Sequence, residues 1–158
     1  QYLLEAIKRD GVPYDLISKS LPTVEGAVND ILAQIVDFSI VFNMDGKQID
    51  THIVYDDDRV WPLELSSGME RFVSSLAIRV GLMNVSNLPR SNFLAIDEGW
   101  GTMDSENLNS VSQLFQYLKS QFQFTMVVSH IETMRDFVDT LLEIKKVDGS
   151  SSVKFSRD

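Results

Sequence analysis

Hydrophobic positions recur along the chain with two different periods, and each change of period marks a new element. Val24, Ala27, Val28, Ile31, Leu32 and Ile35 fall at i, i+3, i+4, i+7, i+8 and i+11, one face of an amphipathic helix over Pro22 to Val36. Before it, Gln1 to Arg9 reads as the end of a helix closed by Asp10-Gly11 and Pro13. The period then shortens. Phe38 to Phe42 and Thr51 to Tyr55 are rich in β-branched and aromatic residues, and Asp45-Gly46 lies between them as a turn signal. They predict a hairpin that ends in the acidic loop Asp56-Asp57-Asp58. Arg71 to Val85 reads as a helix apolar on most sides, hence buried. Phe93 to Ile96 and Phe124 to Ser129 read as short buried strands, and Ser105 to Phe122 as a helix between them. A short helix over Glu132 to Val138 precedes a terminal hairpin, Leu141 to Val147 with Val153 to Phe155, across Asp148-Gly149. Apolar strands alternating with helices indicate an α/β fold, mainly parallel in its sheet, with flanking helices and peripheral hairpins.

Composition narrows the class. The 158 residues are 44% hydrophobic and 23% charged, which suits one soluble domain and excludes a disordered tail or a fibre. No apolar run approaches the ~20 residues of a spanning helix. Fourteen Lys and Arg against 23 Asp and Glu give a net charge of −9, the wrong sign for a freestanding nucleic-acid surface. Cysteine is absent, so disulfides and thiolate metal sites are excluded, which fits a reducing compartment. With two His, His52 and His130, a multi-histidine metal site is excluded as well.

Four short segments then carry chemistry, in a fixed order. In Leu65-Ser66-Ser67-Gly68-Met69-Glu70-Arg71 a small, hydroxyl-bearing turn opens a helix. Its unpaired N–H groups and positive dipole end suit a phosphate oxygen, although Ser is also an ordinary helix cap. Phe93-Leu94-Ala95-Ile96-Asp97-Glu98 puts two carboxylates at the carboxyl end of a strand, where open α/β sheets place ligands. Asp97 is suited to Mg²⁺, directly or through water, and Glu98 to accepting a proton from, or orienting, an attacking water. Gly101-Thr102-Met103-Asp104 follows Gly99-Trp100; Asp104 equally fits the cap of the next helix, and Trp100 reads as a packing or interface residue. Thr125 to His130 ends the second strand with a His able to reach the same ligand edge as Glu98, or to serve as a structural donor. No G-x-S-x-G elbow occurs, and the acidic triplet at 56–58 reads as a solvated loop.

In this order the four segments resemble the head of an ABC-type ATPase. Ser67 to Arg71 resembles the signature motif, Phe93 to Glu98 Walker B, Gly101 to Asp104 the D-loop, and His130 the switch histidine. Within that superfamily the chain is most similar to SbcC-type (Rad-fifty-like) DNA-repair ATPases and their phage relatives, with Asp97 to Asp104 the nearest local match, and the resemblance covers roughly residues 20–147. It departs in two places. Met69 stands where the second signature glycine is expected, which loosens backbone approach to a phosphate there. No G-x-x-x-x-G-K-[ST] loop occurs in the 158 residues, and Gly46-Lys47-Gln48 lacks the spacing.

The resemblance accounts for the missing loop, because SMC and SbcC-type heads are built from both ends of a long polypeptide. It implies a single C-terminal half-domain over residues 1–158, with 1–20 the end of a coiled coil and its lead-in and 21–158 the signature and Walker B lobe. The start at Gln1 is expected to be a coiled-coil stump. The resemblance further implies an ATPase that is inactive alone and uses ATP and Mg²⁺, with Glu98 and His130 catalytic and Asp97 on the metal. Ser67, Gly68, Met69 and Glu70 would contact ATP in trans, and Gly101, Thr102, Met103 and Asp104 would form the D-loop. Its implied partners are an N-terminal Walker A lobe (same polypeptide or a separate chain), a second head in a homodimer, an SbcD-type nuclease, and DNA through the full complex, with no membrane. The expected location is intracellular, in the cytoplasm or at the nucleoid, or in host cytoplasm if viral. The expected role is ATP-driven regulation of a nuclease in double-strand-break repair; the alternative is an SMC-type head that bridges DNA or organises chromosomes without nuclease. A transport ATPase subunit fits less well, since it carries its phosphate loop upstream in the same domain, and an α/β interaction domain would need the four segments to coincide by chance.

Overall fold

In a computed structural model of the chain, the described residues are 12–45, 48–56, 59–101 and 108–157. The expected helix end at Gln1 to Arg9, residues Gly46, Lys47, Asp57 and Asp58, and Thr102, Met103 and Asp104 lie outside them. The first helix, α1, spans Val12–Leu32 with Pro22 inside it, so it begins ten residues before the start that periodicity predicts. Pro13 falls in the first turn of this helix, where a missing N–H costs nothing. Val12 and the residues from Tyr14 to Thr23 bury no side chain, and burial begins at Val24. The apolar period is therefore visible in the half of the helix that packs.

The expected hairpin is β1 (Ser39–Asp45) against β2 (Gln48–Asp56), in a register that pairs Ile40 with Ile53 and Asp45 with Gln48. A third strand, β3 (Arg59–Pro62), adds to it beyond the expectation, making an antiparallel sheet of order β1-β2-β3. The β2–β3 register pairs Val54 with Val60 and Asp56 with Arg59, so Tyr55 is the extra residue of a β-bulge. At the other edge α1 substitutes for a neighbouring strand. The Asn29 amide donates to the Ile40 carbonyl at 2.9 Å and accepts from the Ile40 N–H at 2.8 Å, and Glu25 accepts from the Phe42 N–H at 2.7 Å.

A 3₁₀ turn at Leu63–Leu65 leads into α2 (Gly68–Val85), which starts three residues before the predicted Arg71 because Ser67 caps it. This helix buries Met69, Val73, Leu76, Ala77 and Val80 along one broad face, while Arg71, Ser75, Arg79 and Leu82 stay outside the core; it is not buried all round as its composition suggests. Strand β4 (Phe93–Asp97), α3 (Leu108–Gln121) and β5 (Phe124–Val128) follow, with β4 and β5 paired in parallel. The α/β class is borne out. The parallel core is this one pair, and antiparallel sheets make up the rest among the described residues.

Both strands read as buried, yet only one of their faces is covered by described residues. Phe93, Phe124, Met126 and Val128 are 44 to 59% exposed, and the Phe93 and Phe124 rings stack across the pair at 5.5 Å. The expected short helix is a 3₁₀ helix over Glu132–Phe137. The terminal hairpin, β6 (Thr140–Val147) with β7 (Ser150–Arg157), is longer than expected and turns at Asp148-Gly149, both with positive φ, as a type I′ hairpin turn requires. It turns outward an apolar face of Leu142, Ile144, Val153 and Phe155. The main core lies between α1, α2, α3 and the inner face of β1–β2, with Val28, Leu32, Ile40, Ile53, Val73 and Leu118 fully buried.

Candidate functional site

Two groups of the candidate residues assemble at two places, and no hydrogen bond or ion pair among the described residues joins them. The first lies at the carboxyl ends of β4 and β5. The parallel ladder pairs Asp97 with Val128, and the Glu98 N–H extends it by donating to the Val128 carbonyl at 3.0 Å. There the backbone turns sharply: Glu98 has φ +62° and Gly99 φ +102°. A left-handed non-glycine residue costs on the order of 1–3 kcal/mol and persists only where its surroundings fix it. The turn carries the Glu98 carboxylate to the His130 Nδ1, at 3.0 Å from Oε2 and 3.2 Å from Oε1. The pair is open to solvent, with the Glu98 side chain 52% and the His130 side chain 74% exposed.

What fixes that turn lies directly behind it. A Cβ on Gly99 would stand 2.5 and 2.7 Å from two carbons of the Phe72 ring, so glycine is required by space as well as by φ. Trp100 is fully buried, 4.7 Å from Phe72 and stacked at 5.3 Å on Phe115, which stacks in turn on Phe137. Its Nε1–H has no acceptor among the described residues, so packing holds the ring. Trp100 is thus a core residue that pins the loop after the strand, as its packing reading expected, and not a surface for stacking a base. Phe72 belongs to α2, so the same helix that begins at Ser67 braces the Glu98 edge.

The second group is the start of α2. Ser67 caps the helix, its Oγ accepting from the Glu70 N–H at 3.2 Å, while Glu70 Oε2 accepts from the Ser67 N–H at 2.7 Å, a reciprocal capping box. Glu70 Oε1 accepts a third bond, 2.8 Å from the Tyr55 hydroxyl of the β2 bulge. Burial pushes the Glu70 pKa up, but the bonds from Ser67 and Tyr55 outweigh it and hold the carboxyl below its ordinary value. Burial, together with the bond to Glu70, pushes the Tyr55 phenol up to about 12. Ser67 and Gly68 both reach the surface at the helix N-terminus. Met69 turns its side chain into the core at 4% exposure, so it can reach a ligand only through its main chain.

Asp97 is exposed, one residue before Glu98, and its side chain makes no hydrogen bond or ion pair with a described residue; Gly101 is exposed as well. Among the described residues no three His, Asp or Glu gather as a metal cage. A carboxylate open at a strand end nonetheless fits Mg²⁺, which takes one or two protein carboxylates and completes its shell with phosphate oxygens and water. Sequence reasoning missed Tyr55, whose role depends on a bulge. The Glu70 back-bond was legible as Ser-x-x-Glu, the capping-box spacing.

No family model matches the chain. In sequence it is 33% identical to protein R555 of Acanthamoeba polyphaga mimivirus, over 97% of this chain and 12% of that protein. It is 28% identical to SbcC of the nuclease SbcCD from Staphylococcus aureus, over 76% of this chain and 12% of that protein. The chain thus spans about 12% of the length of these relatives. Among solved structures it matches one determined for the ATP-driven dimerization and DNA stimulated activation of SMC ATPases, with a TM-score of 0.71 at 16% identity over 90% of this chain and 88% of that chain. It also matches an Smc head bound to the C-winged helix domain of ScpA, with a TM-score of 0.68 at 18% identity over 91% of this chain and 46% of that one. The SMC head domain from Thermotoga maritima gives 0.62 at 21% identity, over 91% and 51%. The chain has the fold of an SMC-type ATPase head. Its resemblance to SbcC/SMC-type heads is borne out in fold and in sequence relatives alike. Among the described residues, candidate ligand contacts reach the surface at the Glu98 edge and at the Ser67 cap. No helix among the described residues is long and apolar enough to cross a membrane.

Proposed function

We propose that this chain is the C-terminal lobe of an ATP-hydrolysing SbcC/SMC-type head, supplying the signature cap and the hydrolytic edge to a nucleotide held by an N-terminal phosphate-loop lobe. The observation that carries this reading is the meeting of Glu98 and His130 at the carboxyl ends of two parallel strands, where a water and a terminal phosphate can be addressed together. Glu98 orients the attacking water and takes its proton. His130, held by Glu98, stabilises charge on the phosphoryl group. Asp97 would hold Mg²⁺, directly or through water; the ion, when bound, neutralises the phosphate oxygens. Ser67 and the N–H groups opening α2 contact the terminal phosphate of a nucleotide bound by the opposite head, and the Gly101 to Asp104 segment links the two sites. Nucleotide shared by two heads stabilises the dimer, and hydrolysis releases it.

The exposed apolar faces support the partner lobe. Parallel sheets occur almost only with both faces covered. The open β4–β5 face and the outward face of β6–β7 supply apolar surface for a second lobe to cover. The 158 residues hold no G-x-x-x-x-G-K-[ST] sequence, so on this reading turnover requires that lobe. The relationship to SbcC of the nuclease SbcCD supports regulation of an SbcD-type nuclease in DNA double-strand-break repair. A second reading, an SMC-type head that bridges DNA without nuclease, is favoured by the Smc head bound to ScpA among the fold neighbours. A pulldown separates the two, by recovery of a nuclease or of a ScpA-like partner. The mechanism is tested by Glu98→Gln in the complete head: ATP still binds and a dimer accumulates, while turnover falls by about 10²–10⁴. Turnover at the normal rate would remove Glu98 from this role.

A further inference from the structure

We propose that Tyr55 is a positioning residue for the nucleotide contact of Ser67, acting through the Glu70 carboxylate. The inference rests on the function proposed above and names a residue outside all four motif segments.

The geometry supplies the argument. Ser67 presents its hydroxyl and the first N–H groups of α2 in one orientation only while its capping box is closed, and the box closes through Glu70. Glu is a long side chain that loses rotamer freedom when its carboxylate is fixed. The one bond of the box that reaches this carboxylate, from the Ser67 N–H to Oε2, does not by itself select the rotamer that places both oxygens. The Tyr55 hydroxyl does, taking Oε1 at 2.8 Å while Oε2 stays on the Ser67 N–H at 2.7 Å. Tyr55 is itself placed with care. It is the extra residue of the β2 bulge, a device that re-aims one side chain out of the ladder alternation. Its ring lies 6.1 Å from Phe38 on one side and 5.8 Å from the Arg59 guanidinium on another. Arg59 is held by Asp56 at 2.8 Å, so the bulge, the ring and the carboxylate form one connected support. The groove in front of it, of about 420 Å³, is lined by Tyr55, Arg59, Trp61, Ser67 and Glu70, and opens where the cap is exposed.

The test uses the full-length protein carrying both lobes, with Tyr55→Phe, Ser67→Ala and the double variant, reading ATP-dependent dimerisation by light scattering and steady-state turnover. Tyr55→Phe is expected to raise the ATP concentration for half-maximal dimerisation by about tenfold, the scale of one hydrogen bond to a charged group. Its effect on turnover at saturating ATP is expected to be smaller, under about threefold, because the loss is in orientation before the chemical step. The double variant is expected to be no worse than Ser67→Ala, since the two act as one unit. Circular dichroism verifies that Tyr55→Phe keeps its fold. If Ser67→Ala impairs dimerisation and Tyr55→Phe does not, or if their effects simply add, the positioning role is overturned and the proposed function stands. If Ser67→Ala has no effect either, the signature reading falls with it.

Discussion

The Ser67 cap and the Glu98 edge are held in opposite ways. At the cap the side chains hold one another: Ser67 and Glu70 bond reciprocally, and Tyr55 takes the other carboxylate oxygen. At the edge Glu98 sits in a left-handed conformation, and among the described residues its carboxylate has one exposed partner, His130. The first is an oriented, low-energy contact that exists before any ligand arrives. The second is a strained turn kept in place from behind by Gly99 and Trp100, with its reactive groups free to exchange partners. A surface that must recognise a phosphate gains from the first design. A pair that must handle a proton and a water gains from the second, because groups already saturated by hydrogen bonds have no capacity left for the reacting atoms.

The sharpest way to break this comparison is to attack the brace behind the edge. Gly99→Ala places a Cβ into the Phe72 ring at positive φ and is expected to cost about 3 kcal/mol in urea denaturation. A loss under about 1 kcal/mol would mean that the turn relaxes freely and stores no strain.

Glu70→Gln acts on the cap and should cost about 1 kcal/mol at neutral pH, less than a buried bond to a charged group because solvent reaches this carboxylate. The folded pKa of Glu70 is depressed, so its contribution is present above the ordinary 4.5 and is lost as pH falls through the folded value. The gap between wild type and variant therefore narrows once pH drops below that ordinary value; a gap unchanged between pH 7 and about pH 3 would show that the charge is not what stabilises the cap. His130→Ala should produce the smallest change in stability, within about 0.5 kcal/mol, since a contact between two exposed side chains contributes little. The same variant in the complete head should lose about 10²-fold in turnover, a separation of stability from activity that the cap should not display.

Legibility in the sequence follows the same division. Asp97, Glu98 and His130 could be placed at strand ends because short apolar runs announce the strands and the polar residue after each run announces its end. The Ser67 cap was legible for a similar local reason, as a hydroxyl before a helical period. What could not be read was tertiary. The outer half of α1 carries no burial period since its side chains meet no core, so the apolar pattern began at Val24 and Pro22 passed for a start. Strand β3 is four residues long and ends in Pro62, too short for alternation to register. The Tyr55–Glu70 bond joins residues fifteen apart across a bulge, and no spacing rule anticipates it. Trp100 was expected to pack, but only the rings around it reveal that it anchors the strained turn.

The clasp of α1 on strand β1 has a consequence for the life of the free polypeptide. An uncovered outer strand offers its main chain to any passing copy and invites sheet-to-sheet association. Asn29 engages both main-chain groups of Ile40, and Glu25 engages the Phe42 N–H, so that margin is already occupied from within the same molecule. At the opposite margin, β3 is short and closed by a proline. The antiparallel sheet is thereby shielded against runaway self-association at both margins, a safeguard for a polypeptide that exposes apolar strands elsewhere on its surface.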